Sequence, residues 1–395
     1  MNTRLMVVLL VGVAYYVYYP FPPDADAPWK QMFSMVLIRT INHVCVFEET
    51  IGYSSTIQCR QWFSRALDTN RGDLSDTDLE VTEPLFGGVK VRLYTPKDSN
   101  TGRRGFVYVH GGGWYLGSVS TFDAKTREIA RALKAVVVSI DYRLAPEHPF
   151  PVPLQDCVDA TTHFLKHAED YGADPRRIGI GGDSAGGNLA MAVTLKLAQS
   201  RDTTLPELRT LSMVYPALQM VNFNLPSYLK FTDGPFLLNK RLMVSAWLNY
   251  VFGHENDFHE FFDNKHISPV LRNKVQRITN RALLPESVQL EDSDNYNESL
   301  ARDVESIISN SLISPLLCTD DDLQKLPKIL LFTSQYDPLT DESLILVKRV
   351  KNLGIPILHK HFTGVQHGFF ASRFATMMKS KQALTDYIEF LKKEL

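Results

Sequence analysis

The sequence predicts an α/β protein built on a mainly parallel sheet. Three observations carry this: β-branched runs recur from about residue 80, helical patterns separate them, and some runs are apolar without alternation. Residues 89–94 and 106–109 read as the first strands. Residues 135–140, Ala-Val-Val-Val-Ser-Ile, read as a strand buried on both faces. Residues 178–181 form a short strand pattern, and 188–198 follow with Leu189, Ala190, Val193 and Leu197 at helical spacing. Residues 211–215, 329–333 and 357–361 supply the later strands.

The alternation lapses over about 221–311. That stretch carries Trp247, Tyr250, Phe252, Phe258, Phe261 and Phe262, then an acidic run over 291–294. It reads as an insertion capping the sheet, because strand-like chain resumes after it; its aromatic residues are expected in the core. Residues 25–75 read as mostly helical. The organisation expected is an N-terminal segment 1–23, a helical region 24–78 contributing to the cap, and a domain 79–395 with the cap insertion at about 221–311.

At 395 residues with 44% apolar and 22% charged side chains, the chain is neither disordered nor fibrous. Its 42 Lys+Arg nearly cancel 44 Asp+Glu, so no global field draws nucleic acid, and none is expected as a partner. Four cysteines, Cys45, Cys59, Cys157 and Cys318, are too few for a disulfide scaffold, and they leave pairing and redox compartment open. No His/Cys cluster has metal-ligand spacing, and neither metal nor cofactor is expected.

No charged side chain occurs from Leu5 to Pro23. As helix this run would span about 28 Å, close to the bilayer hydrocarbon thickness. Tyr15, Tyr16, Tyr18 and Tyr19 gather at its far end, where amphipathic rings suit the headgroup boundary. A single N-terminal transmembrane helix is therefore expected, with a cleaved signal and a buried helix as the alternatives. Arg4 precedes the run while Asp24 and Asp26 follow it, so the body is expected on the lumenal or exterior side. The tripeptide Asn297-Glu298-Ser299 is a glycosylation sequon, usable if the body is lumenal.

The chemistry centres on Gly182-Asp183-Ser184-Ala185-Gly186, which follows a strand and opens a helix. Ser184 would sit on a sharp turn, relieved by glycine two positions either side. His110-Gly111-Gly112-Gly113-Trp114 directly follows the strand 106–109, and its glycine amides, with that of Ala185, could hold an oxyanion. His110 is expected to pin that loop; it is not the candidate base. The acid and base should follow in the order Ser, Asp, His. Asp337 and His367 lie just beyond two later strands, where open sheets place ligands. Asp341 and Glu342 are rivals for the acid, and His359 and His361 for the base, but the histidines fall inside a strand pattern. Arg143, Pro146 and Glu147 read as structural. The constellation implies acyl transfer through Ser184, with His367 as base and Asp337 orienting it.

These motifs, with residues 141–150, 215–218 and 225–228, resemble the hormone-sensitive-lipase branch of α/β-hydrolases, and within it the arylacetamide deacetylase-like group. The resemblance spans nearly the whole chain. It implies an α/β-hydrolase fold with a helical cap, a single-pass type II anchor in the endoplasmic reticulum membrane and a lumenal catalytic domain. It also implies hydrolysis of lipophilic esters and aromatic amides, with Ser184, Asp337 and His367 matching the triad. Hydrolysis of triacylglycerol or cholesteryl ester uses the same apparatus and is the alternative; a non-catalytic receptor would lack a triad member, and none is missing. Two departures stand out: relatives often carry cysteines where this chain has Tyr115 and Ser334, so a cross-link between those loops is lost.

Overall fold

The computed structural model describes residues 6, 16, 18, 21–68, 72–98, 102–200, 202, 204–234, 236–278, 295–370 and 378–395. It opens with two helices, α1 (Pro28–Thr50) and α2 (Thr56–Ala66). Ser55 caps α2 reciprocally with Gln58, and a Cys45–Cys59 disulfide joins the pair. Cys157 and Cys318 are buried and unpaired. Residues 67–78, expected to continue the helical region, contain no helix among those described.

The strands are β1 (Leu79–Thr82), β2 (Leu85–Phe86), β3 (Val89–Pro96), β4 (Arg103–Val109), β5 (Val136–Ile140), β6 (Ala173–Asp183), β7 (Thr210–Val214), β8 (Lys328–Tyr336) and β9 (Ile357–Gln366). They pair in the order β1-β3-β5-β4-β6-β7-β8-β9, with β2 beside β3. From β5 to β9 all neighbours are parallel, and the antiparallel pairs involve β3. β5 is buried at every position, as its unbroken apolar run requires.

Between strands lie α3 (Asp123–Leu133), α4 (Val152–Lys166) and α5 (Ala185–Ser200). After β7 the chain runs through α6 (Pro226–Lys230), α7 (Lys240–Phe252), α8 (Phe258–Phe262), α9 (Pro269–Ile278) and α10 (Glu298–Ile308). α11 (Asp320–Leu323), α12 (Thr340–Asn352) and α13 (Met378–Glu394) complete the fold.

Two apolar clusters sandwich the sheet. α3 and α13 cover one face through Ile129, Leu133, Tyr387 and Leu391. Phe164, Leu189, Val193 and Leu346 of α4, α5 and α12 cover the other, and that cluster runs on into Trp247 and Tyr250 of α7. The cap thus shares the core of the sheet. Among the described residues no helix is long and apolar enough to cross a membrane. The expected anchor over 1–23 lies almost wholly outside the described residues.

The disulfide closes a short loop, worth about 3 kcal/mol by chain entropy. Cys45→Ala, or reduction of the wild type, is expected to speed limited proteolysis between α1 and α2 and leave the sheet intact. Unchanged cleavage in both would show that the bridge bears no load.

Candidate active site

β6 ends at Asp183 and α5 begins at Ala185, leaving Ser184 alone at the reversal with φ 55°. A non-glycine residue held there costs about 1–3 kcal/mol. Ser184 N donates to Val214 O (2.9 Å), and Asn188 N donates to Ser184 O (3.1 Å). The flanking glycines allow backbone to meet backbone: a Cβ on Gly182 would lie 2.3 Å from Val109 O, and one on Gly186 2.1 Å from the same atom. The turn therefore rests directly on the end of β4.

His367 Nε2 stands 2.9 Å from Ser184 Oγ, and its Nδ1 stands 2.8 Å from Asp337 Oδ2. Asp337 is buried, and its other contacts are donors: Leu339 N to Oδ1 (2.9 Å) and Ser334 Oγ to Oδ2 (2.9 Å). A carboxylate so surrounded accepts a hydrogen bond from Nδ1–H, which leaves Nε2 of the neutral ring as the acceptor for the serine proton. His367 N donates to Tyr336 O (3.2 Å), and the Tyr215 ring lies 4.4 Å from the imidazole. Ser334 holds one of the two positions where the resemblance would place a cysteine, and here it bonds the acid directly. Nothing but a hydroxyl three residues before Asp337 could have signalled this.

The loop after β4 corrects one expectation. Gly111 N donates to Asp183 Oδ1 (3.1 Å), so that amide is spent on the turn and is not an oxyanion donor. Asp183 also takes the Tyr108 hydroxyl (2.7 Å) and is buried beside the nucleophile. Its role went unread in the sequence although it sits inside the pentapeptide. Among the described residues, the amides of Gly112, Gly113 and Ala185 have no internal acceptor. His110 is wholly buried, stacked 4.4 Å from Tyr142, with Nδ1 2.8 Å from Gly111 O. Its ring shapes the loop and offers nothing to a substrate. Trp114 anchors the far end, stacked on Tyr250 (4.4 Å) and tilted against Trp247 (4.3 Å) of the cap.

The rival residues are engaged elsewhere. Asp341 Oδ2 accepts from Ser227 N (2.7 Å). Glu342 accepts from Leu218 N (2.6 Å), Gln219 Nε2 (2.9 Å) and the Tyr228 hydroxyl (3.3 Å). His359 and His361 both meet Thr333 Oγ1, at 3.0 and 2.9 Å. Burial raises the carboxyl of Asp183 above its ordinary range and pushes Glu342 up to about 8. Arg143 clamps Asp156, and Glu147 takes Gln61 of α2 (3.1 Å). Asn297 caps α10 through Oδ1, which accepts from Leu300 N (3.1 Å). No group of His, Cys, Asp and Glu suited to a metal occurs among the described residues.

A serine activated by an Asp-supported histidine, facing unspent amides at the carboxyl ends of a parallel sheet, defines a serine hydrolase acting on acyl groups. Residues 106–287 and 266–371 match a family model described as alpha/beta hydrolase fold, and the chain belongs to that family. Within it, the chain is an arylacetamide deacetylase-like member of the hormone-sensitive-lipase branch. It is 37% identical to arylacetamide deacetylase of Oryctolagus cuniculus, over 93% of this chain and 94% of that one. Neutral cholesterol ester hydrolase 1 of Rattus norvegicus is 33% identical, over 92% and 91%. A thermostable carboxylesterase cloned from a metagenomic library superposes with a TM-score of 0.63 at 27% identity, covering 85% of this chain and 95% of its own.

Ser334→Ala removes one hydrogen bond to a charged acceptor, and kcat on a short soluble ester is expected to fall about tenfold. KM should stay within twofold; an unchanged kcat would deny Ser334 any part in positioning Asp337. A second expectation concerns stability. Glu342 has a folded value of about 8 against an ordinary 4.5, so the folded chain holds more protons between those limits. Stability contributed by this group is full below pH 4.5 and is lost as pH rises toward 8. Glu342→Gln should flatten the difference between urea midpoints at pH 5 and pH 8; an unaltered difference would show that Glu342 ionises normally.

Proposed function

We propose that this chain hydrolyses carboxylic esters and aryl amides of lipophilic small molecules. The observation that carries the reading is the pair of contacts at His367, 2.9 Å to Ser184 Oγ and 2.8 Å to Asp337 Oδ2. Ser184 Oγ attacks the carbonyl carbon while its proton passes to His367 Nε2. The oxygen that gains charge takes hydrogen bonds from the amides of Gly112 or Gly113 and Ala185, each donor worth about 2.7–4 kcal/mol. Collapse expels the alcohol or amine, which leaves with the proton from His367. Water then attacks the acyl-serine by the same route and releases the acid. A fluorophosphonate probe is expected to label the wild type and not Ser184→Ala. Absence of labelling on folded wild-type protein would overturn the enzyme reading.

The deacetylase relative favours small esters and aryl amides as substrates, and the cholesterol ester hydrolase relative favours lipid esters as the second reading. A panel of short acyl esters, aryl amides and long-chain glycerides separates them. Activity confined to the long-chain lipids would establish the second.

We further propose that residues 1–23 anchor the chain as a single-pass type II protein of the endoplasmic reticulum, its catalytic domain lumenal and Asn297 available for glycosylation. The uncharged run and its flanking charges support the anchor, and the Cys45–Cys59 bridge suits an oxidising compartment. Release of the full chain from microsomes by alkaline carbonate would overturn it.

A further inference from the structure

Most large apolar side chains of this molecule are buried, but α1 is an exception. Trp29, Phe33, Val44, Phe47 and Ile51 are exposed, Trp29 by 71% and Phe33 by 70%. At about 100° per residue these five fall within a sector of about 60° along the helix, and no charged residue shares it. The opposite side of α1 carries the buried Gln31, Met35 and Cys45. The stripe is therefore a second, outward apolar face, running about 33 Å from Trp29 to Ile51. Thr40, whose Oγ1 meets the Tyr16 hydroxyl (3.3 Å), divides the stripe into two exposed apolar patches, Trp29 with Phe33 and Val44 with Phe47 and Ile51, on one side of the helix. Exposed apolar patches of this kind mark an interaction surface.

We infer that this face of α1 lies in the interfacial layer of a lipid bilayer and holds the catalytic cleft at the membrane surface. The inference rests on the anchoring reading proposed above, and it goes further by assigning a surface of the folded body to the lipid. The uncharged run ends at Pro23, six residues before Trp29, so a bilayer holding that run is presented to the stripe at high effective concentration. A helix with one apolar face and charged residues outside it suits the plane of the interface.

The same stretch is clamped to the active site. Asp26 N donates to Gly364 O (2.7 Å), and Gln31 Nε2 reaches that oxygen at 3.2 Å. Asp24 takes the Tyr336 hydroxyl and Gln335 Nε2 (3.0 Å), immediately before Asp337. The start of α1 thus stands against the loops bearing the acid and base. A bilayer held against the start of α1 stands at the end of the sheet that bears Ser184 and delivers a lipophilic ester there.

The chain carries its own probe. Of its four tryptophans, Trp114 and Trp247 are wholly buried, while Trp29 and Trp62 are exposed on α1 and α2. The full-length Trp62→Phe protein, reconstituted in phosphatidylcholine vesicles brominated near the carbonyl end of the acyl chains, reports Trp29. The Trp29 share of its emission, over the constant background of buried Trp114 and Trp247, is expected to fall by about half, and adding Phe33→Asp with Phe47→Asp should cut that quenching at least threefold. The same pair should lower hydrolysis of a long-chain ester dissolved in the vesicles about tenfold and leave a soluble short-chain ester within twofold. Protein that floats with the vesicles while Trp29 stays unquenched would overturn the inference and leave the anchor standing; if it also cross-links as a dimer, a second copy covers the stripe. Protein that does not float with the vesicles would overturn both.

Discussion

The carbonyl of Val109 is gripped between two glycines, and the rest of the site follows from that contact. Gly182 and Gly186 stand one on each side of Ser184, and neither has room for a Cβ against this oxygen. The nucleophile turn can therefore sit on the end of β4 without an intervening side chain. Only at that separation does the 110–113 loop come within reach of the start of α5. Asp183 then locks the two together by accepting the Gly111 amide. Nucleophile and oxyanion donors form one rigid unit, and donors already in place cost no reorganisation when charge develops.

The remaining distances are set by the sheet. β6, β7, β8 and β9 are parallel neighbours, spaced at about 4.8 Å as strands are. Backbone bonds tie each strand end to the next: Ser184 N to Val214 O, Tyr215 N to Phe332 O and His367 N to Tyr336 O. Ser184 and Asp337 thus emerge two strands apart, a gap that a single imidazole bridges when it comes from the strand beyond. The order Ser, Asp, His along the chain is the order of those strands in space. The rival acids lie past the strand end, on a helix that carries them to residues 218–228, where the chain enters the cap. The rival bases fall short of it, at Thr333.

What could be read from the sequence was what the backbone dictates locally. Unbroken apolar runs mark strands buried on both faces, and β5 and β7 match their patterns to within a residue. A glycine-flanked serine between a strand and a helix has few other uses, and Asp337 and His367 were legible from their place after strands. β1 and β2 were not, because strands of four and two residues carry too little periodicity to separate from loop. β6 begins at Ala173, five residues before its apolar pattern, because Asp174, Pro175 and the exposed Arg176 break that pattern at its start. The spent Gly111 amide, the Ser334 bond and the Cys45–Cys59 bridge were beyond reach for one reason. Each depends on where two distant segments meet, and a run of three glycines looks the same whichever amide is turned inward.

The strap over residues 24–31 meets the catalytic loops, and this ties catalysis to the segment that precedes the body. Gly364 has φ 73°, and a Cβ there would lie 2.5 Å from Asp24 O, so the strap over residues 24–31 closes on the β9 end only if this position is glycine. The strap contacts both loops that must stay in register: Gln335 and Tyr336 before the acid, Gly364 before the base. Gly364 N in turn donates to Gln335 Oε1 (2.6 Å), closing the contacts into a ring. Tyr336 stacks on Phe236 of the cap (5.0 Å), and Leu237 N donates to Gln366 Oε1 (2.7 Å), so the cap joins the same ring from the other side. The triad is therefore held from three directions: by the ladder beneath it, by the cap above it, and by the stretch of chain nearest the apolar run. Of these the third alone reaches the catalytic loops from the segment that follows the uncharged run.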